Sequence, residues 1–143
     1  MRRRVGLLLV FCAAGIGLGV AGGRILCAQP PSGSPPAVAE TVLMRADLAG
    51  LPGKELIVSR LAAEPGWRHG RHRHVGHELV YVLEGTGTLE ADGEGPVSLG
   101  QGAALYVPPG RGHSGGNASS TTSFRFLLVR IHDKGQPMSV ELE

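Results

Sequence analysis

From about residue 41 onward the chain is a succession of short apolar or alternating runs, each closed by glycine, proline or an Asp-Gly pair. Lys54 to Leu61 alternates, with Leu56 and Val58 on one parity and Ile57 and Ser59 on the other. Leu79-Val80-Tyr81-Val82-Leu83 is a dense β-branched and aromatic run ended by Glu84-Gly85. Thr86 to Ala91 alternates again and stops at Asp92-Gly93, a tight hairpin signal. Pro96 to Leu99, Ala103 to Val107 and Ser123 to Ile131 are further strand candidates, while Gly115 to Ser123, small and polar, reads as a loop. Apolar spacing of three and four never persists for a full helix, so the expectation is an all-β sandwich or barrel. The 23 glycines among 143 residues fit a fold with many tight turns.

The start of the chain follows another pattern. Arg2, Arg3 and Arg4 precede an uncharged apolar run from Val5 to Gly22, and no acidic residue occurs in 1–28. This reads as a secretory signal peptide, with cleavage after Ala28 or nearer Gly22. An uncleaved membrane anchor is the alternative, although the run falls just short of the roughly 20 residues that span a bilayer. Gln29 to Glu40 holds Pro30, Pro31, Pro35 and Pro36 and reads as an extended spacer. The expected organisation is therefore a signal peptide over 1–28, a spacer over 29–40 and one folded domain over 41–143. The expected location is periplasmic or secreted.

Export changes the charge balance. The chain has 14 basic and 12 acidic residues, but four of the arginines lie in the first 28 residues. The mature part is left slightly acidic, which removes the case for nucleic-acid binding. Cys12 and Cys27 both fall in or beside the leader. A disulfide framework in the folded domain is thus excluded, and any metal chemistry there must use nitrogen and oxygen ligands.

The chemistry-bearing stretch is Gly66 to Glu78, which includes His69, His72, His74 and His77. His72 and His74 are two apart, so on a strand both rings leave the same face. Glu78 shares their parity beyond a Val-Gly-His turn, and far along the chain His113 follows the rigid Pro108-Pro109-Gly110. Three imidazoles and a carboxylate form a borderline-hard site suited to Fe, Mn, Ni, Cu or Zn. A histidine-rich exposed strand that binds metals only opportunistically is the alternative these residues leave open.

The spacing resembles that of the cupin superfamily. Its first motif has glycine, five residues, His-x-His, three or four residues, glutamate, six residues and glycine, matched here by Gly66, His72, His74, Glu78 and Gly85. Its second has glycine, five residues, Pro-x-Gly, two residues, histidine, three residues and asparagine, matched by Gly102, Pro108, Gly110, His113 and Asn117. The resemblance covers roughly residues 41 to 135. It implies an antiparallel jelly-roll-type barrel of six or more strands, with one divalent metal ion on His72, His74, Glu78 and His113. Asn117 is expected to fix the loop behind His113, His77 to face outward, His69 to line the mouth, and His132 to be solvated.

Similar cupins include dioxygenases, oxalate-degrading enzymes, sugar isomerases and non-catalytic binders, and fold alone does not choose among them. Inward residues such as Val80 and Val82, with some of Leu105, Val107, Phe124, Phe126 and Leu128, should give an apolar pocket. Candidate polar contacts are Tyr81, Tyr106, Trp67, Arg73 and Arg125. This favours a dioxygenase-like enzyme acting on a small hydrophobic or aromatic molecule. An exported binding or sensing protein and a metal buffer are the alternatives. A homodimer paired through outer strands is what the resemblance implies for assembly. Membrane contact is expected only through an uncleaved leader.

Overall fold

The computed structural model describes residues 37–143. The leader, both cysteines and most of the proline-rich spacer lie outside the described residues. Ten strands follow in order: β1 Val38–Asp47, β2 Lys54–Ala63, β3 Arg68–Arg73, β4 His77–Glu84, β5 Gly87–Ala91, β6 Val97–Leu99, β7 Ala104–Val107, β8 His113–Asn117, β9 Phe124–Asp133 and β10 Val140–Glu141. No helix occurs among the described residues. β1 opens at Val38, so the folded part reaches back past Thr41 into the stretch read as spacer.

The strands form two five-stranded sheets, ordered β1-β2-β9-β4-β7 and β10-β3-β8-β5-β6. Every pairing is antiparallel. The period-two alternation visible in the sequence is obeyed closely. Ile57, Ser59, Leu61 and Ala63 of β2 face inward, as do Val80 and Val82 of β4 and Phe124, Phe126 and Leu128 of β9. With Leu89, Leu99 and Val107 these make the core between the sheets. The rings of Phe124 and Phe126 stack with centroids 4.6 Å apart. Burying each such side chain contributes about 1.5–3 kcal/mol.

Two sequence expectations are corrected. Gly115 to Asn117 belong to strand β8, not to a loop. The glycines are there for close approach: a Cβ on Gly116 would run into the Trp67 carbonyl oxygen and the Arg68 side chain. His132, expected in solvent, is 5 % exposed. β9 runs on to Asp133, so His132 keeps the inward parity of Phe124, Phe126 and Leu128, and its Nε2 lies 3.0 Å from Glu55 Oε1.

Asn117 ends β8 with no exposure at all. Its side-chain amide donates to the carbonyls of Ala63, Glu64 and Thr122, and its oxygen accepts from the Ser119 amide. It thus pins the loop after β8 to the end of β2, and Asn117-Ala118-Ser119 offers no accessible glycan acceptor. Asn117→Ala leaves several buried carbonyls without donors and should destabilise the domain by about 2–4 kcal/mol. Urea unfolding followed by circular dichroism measures this, and an unchanged midpoint would show that the loop is held by other contacts.

Candidate metal centre

Four of the sequence-selected side chains converge at one end of the space between the sheets. His72, in β3, lies directly across from His113, in β8. His74 follows β3 by one residue. The chain then turns through Val75-Gly76 and crosses to the other sheet, where Glu78 enters β4. Gly76 makes this crossing possible, because a Cβ there would overlap the Ile131 carbonyl and the His132 side chain. All four side chains are buried, at 3–5 % exposure.

The β3–β8 ladder is irregular between His69 and His72: Gly70 and Arg71 on β3 are matched by Ser114 alone on β8. Such a bulge reverses side-chain parity. His69 and His72, an odd number of residues apart, therefore both point into the cavity, and their rings stack at 3.7 Å between centroids. His69 lines the mouth as expected, with Nε2 3.7 Å from Glu141 Oε1.

The nitrogens of His72, His74 and His113 that could share one ion lie within 4.8 Å of one another. Each ring is oriented by a backbone carbonyl. Nδ1 of His72 meets the Gly70 oxygen at 2.8 Å, Nδ1 of His74 the Met138 oxygen at 2.6 Å, and Nδ1 of His113 the Arg111 oxygen at 3.1 Å. A carbonyl can only accept, so each Nδ1 carries the proton and each neutral ring keeps its lone pair on Nε2. The Pro108-Pro109-Gly110 turn adds support from behind, with the Gly110 amide donating to the His74 carbonyl at 2.8 Å.

The electrostatics favour a cation. Burial pushes the His72 ring down to about 4, only partly offset by the Gly70 carbonyl, with the neighbouring His69, His113 and His74 rings adding to the fall. Burial lowers His113 likewise. Burial also works against a charged His74, but the Glu78 carboxylate beside it outweighs this, helped by the Met138 carbonyl, and His74 is raised. Burial would raise Glu78 as well, yet His74 and Arg130 hold it down to about 2. His74 Nε2 is 3.0 Å from Glu78 Oε2 but has no hydrogen-bond partner. A buried lone pair facing a carboxylate calls for a proton or a metal ion between them. The donor set and this orphaned nitrogen both fit a divalent ion held by three imidazoles and one carboxylate.

Arg130 was not singled out in the sequence. Its Nε reaches Glu78 Oε2 at 3.2 Å and its Nη1 reaches Glu40 Oε1 at 3.1 Å. The inward parity of β9 was the signal that could have found it, as for His132. Met138 acts through its main chain, for which no side-chain signal exists.

Next to the four residues lies a cavity of about 310 Å³. Its wall is mostly apolar, from Leu61, Trp67, Val80, Leu89, Phe126 and Leu128 among others. Of the proposed polar contacts only Trp67 lines it. Tyr81, Tyr106, Arg73 and Arg125 are exposed on outer faces. His77 also faces outward, its Nδ1 2.7 Å from the Tyr106 hydroxyl.

The cupin-domain family profile matches residues 59–130. With the two-sheet fold and both motifs in place, the chain belongs to the cupin family. Solved structures agree on the fold. A cupin superfamily protein from Desulfitobacterium hafniense is 18 % identical with a TM-score of 0.57, covering 71 % of this chain and 83 % of that one. The DMSP lyase DddQ from Ruegeria pomeroyi is 21 % identical with a TM-score of 0.59, covering 73 % of this chain but 51 % of the lyase. A cupin domain from Bordetella pertussis is 27 % identical with a TM-score of 0.52, covering 69 % and 97 %. No curated protein sequence matches the chain.

The lowered histidines set a pH dependence for the chelator-treated protein. Between about 4 and 6.5 the unfolded chain binds more protons than the folded one at His72, so stability rises with pH there and is lost as pH falls. His113 acts in the same direction. The melting temperature of the chelated protein should therefore drop as pH is lowered through this window. His72→Gln should flatten the slope, and an equal slope in that variant would assign it to other groups.

Proposed function

We propose that this protein is an exported cupin that holds one divalent metal ion on His72, His74, Glu78 and His113 and acts, in the manner of a dioxygenase, on a small hydrophobic or aromatic molecule in the adjoining cavity. The observation that carries the reading is the orientation of the three rings. Each Nδ1 is committed to a carbonyl, so each Nε2 lone pair is free for a ligand bond beside a buried carboxylate. Fe, Mn, Ni, Cu and Zn are all compatible with this donor set. Export rests on the basic start and apolar run of residues 2–22.

When bound, the ion would supply Lewis acidity and, if redox-active, a route for electrons between substrate and dioxygen. The residues of the chain do the rest. Leu61, Trp67, Val80, Phe126 and Leu128 exclude water and bind an apolar body. With His74, Arg130 helps to keep Glu78 ionised, and it fixes the carboxylate from behind. His69, at the mouth, is positioned to hold or pass a proton at Nε2. The carboxylate of Glu141 stands 3.7 Å from that nitrogen at the rim, while deeper in the cavity Glu40 and Arg130 are paired with each other and leave few free acid–base groups. This scarcity also supports the second reading, a binding protein without turnover. Likeness to a DMSP lyase concerns the fold at this identity and leaves the reaction to the cavity's own chemistry.

Elemental analysis of the protein from its native fraction should find one Fe, Mn, Ni or Cu per chain. His72→Ala and His113→Ala should each lose most of it, whereas His77→Ala should keep it all. Full occupancy in the first two variants would refute the ligand assignment. Oxygen uptake on adding catechols or flavonols is the expected activity. Ligand-induced thermal stabilisation without uptake would select the binding reading instead.

A further inference from the structure

Glycine inside a strand weakens it and calls for a reason: a bulge, a tight bend or the close approach of another group. In the sheet β10-β3-β8-β5-β6 the reason is plain for Gly87 and Gly116. A Cβ on the first would strike the Phe124 ring, and one on the second the Trp67 carbonyl oxygen. No such contact exists at Gly115, and its backbone is not in the left-handed region that favours glycine. Gly115 shares the inward face with His113, two residues before it, and pairs with His69 on one side and Leu89 on the other. Apart from its chain neighbours, a Cβ at this position would meet one atom within 4 Å, the Thr88 carbonyl oxygen at 3.1 Å, which a shift of a few tenths of an ångström relieves. Nothing from the facing sheet comes that near. The space above Gly115 is cavity, and the residue is partly exposed although β8 is the central strand of its sheet.

We propose that Gly115 is the specificity-determining residue of the cavity, its bare main chain being the floor on which a planar aromatic ring lies flat. This rests on the reading of the cavity as a substrate site, and narrows it from hydrophobic molecules in general to aromatic ones. The peptide groups on either side of Gly115 are planar, and with no side chain between them they offer a smooth surface. His69 and Leu89 stand on the two flanking strands, whose axes lie about 9–10 Å apart with β8 midway. The bare strip is therefore a trough one strand wide, with Phe126 and Leu128 on the wall of the facing sheet. Attraction between carbon atoms falls by about a quarter to a half when a gap of roughly 0.5–1 Å opens between them. A flat ring keeps all of its atoms at contact distance from such a floor, whereas a puckered saturated ring lifts some of them away. The strip starts one inward position beyond His113, about 7 Å along the strand, so a ring seated there lies beside the metal centre. Any side chain at residue 115 would fill the trough.

The test is a titration of zinc-loaded protein with phenol, followed by the indole N–H resonance of Trp67, the single tryptophan and part of the cavity wall. Wild type should bind phenol several times more tightly than cyclohexanol, which carries the same hydroxyl on a puckered ring. Gly115→Ala should weaken phenol binding about tenfold, and Gly115→Val by about tenfold more. Both variants should keep one zinc per chain and the circular dichroism spectrum of the wild type. If the valine variant fails to fold, the alanine variant carries the same comparison. Unchanged phenol affinity in zinc-loaded Gly115→Ala would overturn the assignment, and so would equal binding of phenol and cyclohexanol by the wild type. Either result leaves the cavity standing as a hydrophobic ligand site. Loss of zinc from Gly115→Ala would overturn it too, by giving the glycine to the packing of the metal centre. A wild type that binds neither compound would overturn the hydrophobic reading of the cavity together with this one.

Discussion

The commitment of three imidazoles to three main-chain carbonyls is the constraint on which the site depends. Gly70, Arg111 and Met138 supply the carbonyls from separate parts of the chain, and each fixes one ring's tautomer and its direction. A hydrogen bond of this kind contributes only about 1 kcal/mol to stability. Its larger effect is chemical, because it settles which nitrogen faces the interior. The irregular β3–β8 ladder is the second requirement. Without the extra residue at Gly70–Arg71, the pairing that sets His69 against Gly115 would bring Arg71, not His72, opposite His113.

Around this frame the charges are arranged so that a cation relieves the site. One carboxylate, held ionised by His74 and Arg130, shares the space with two rings, His72 and His113, that burial keeps from accepting protons freely. The other sheet supplies Glu78, so the centre is assembled across the sandwich and records whether the two sheets are properly apposed. The apolar cavity then lowers the local dielectric, which strengthens each of these interactions.

Much of this was legible in the sequence because the two motifs fix spacing, and spacing on strands fixes parity. His72, His74, Glu78 and His113 fall together as their positions imply, and His77 turns outward as its parity demands. The core of β4 and β9 was readable for the same reason. What escaped falls into two kinds. Arg130 and His132 were within reach of the same parity argument, but Arg130 was not singled out and His132 was expected in solvent, where carboxylates in fact receive both. The bulge, the Met138 carbonyl and the close contact at Gly116 depend on main-chain geometry, to which almost any side chain is silent. Glycines that permit close strand approach look, in one dimension, like a loop.

The carbonyl that orients His74 comes from a residue 64 positions later in the chain. The short strand β10 then ties the segment down by pairing with β3. The His74 ring thus takes up its direction only once the Met138–Glu141 stretch lies along the sheet's edge, whereas His72 and His113 find their carbonyls two residues earlier, at Gly70 and Arg111. On the ribosome, a chain that has emerged only past His113 would already carry all four of these side chains and still lack the carbonyl that turns the His74 ring.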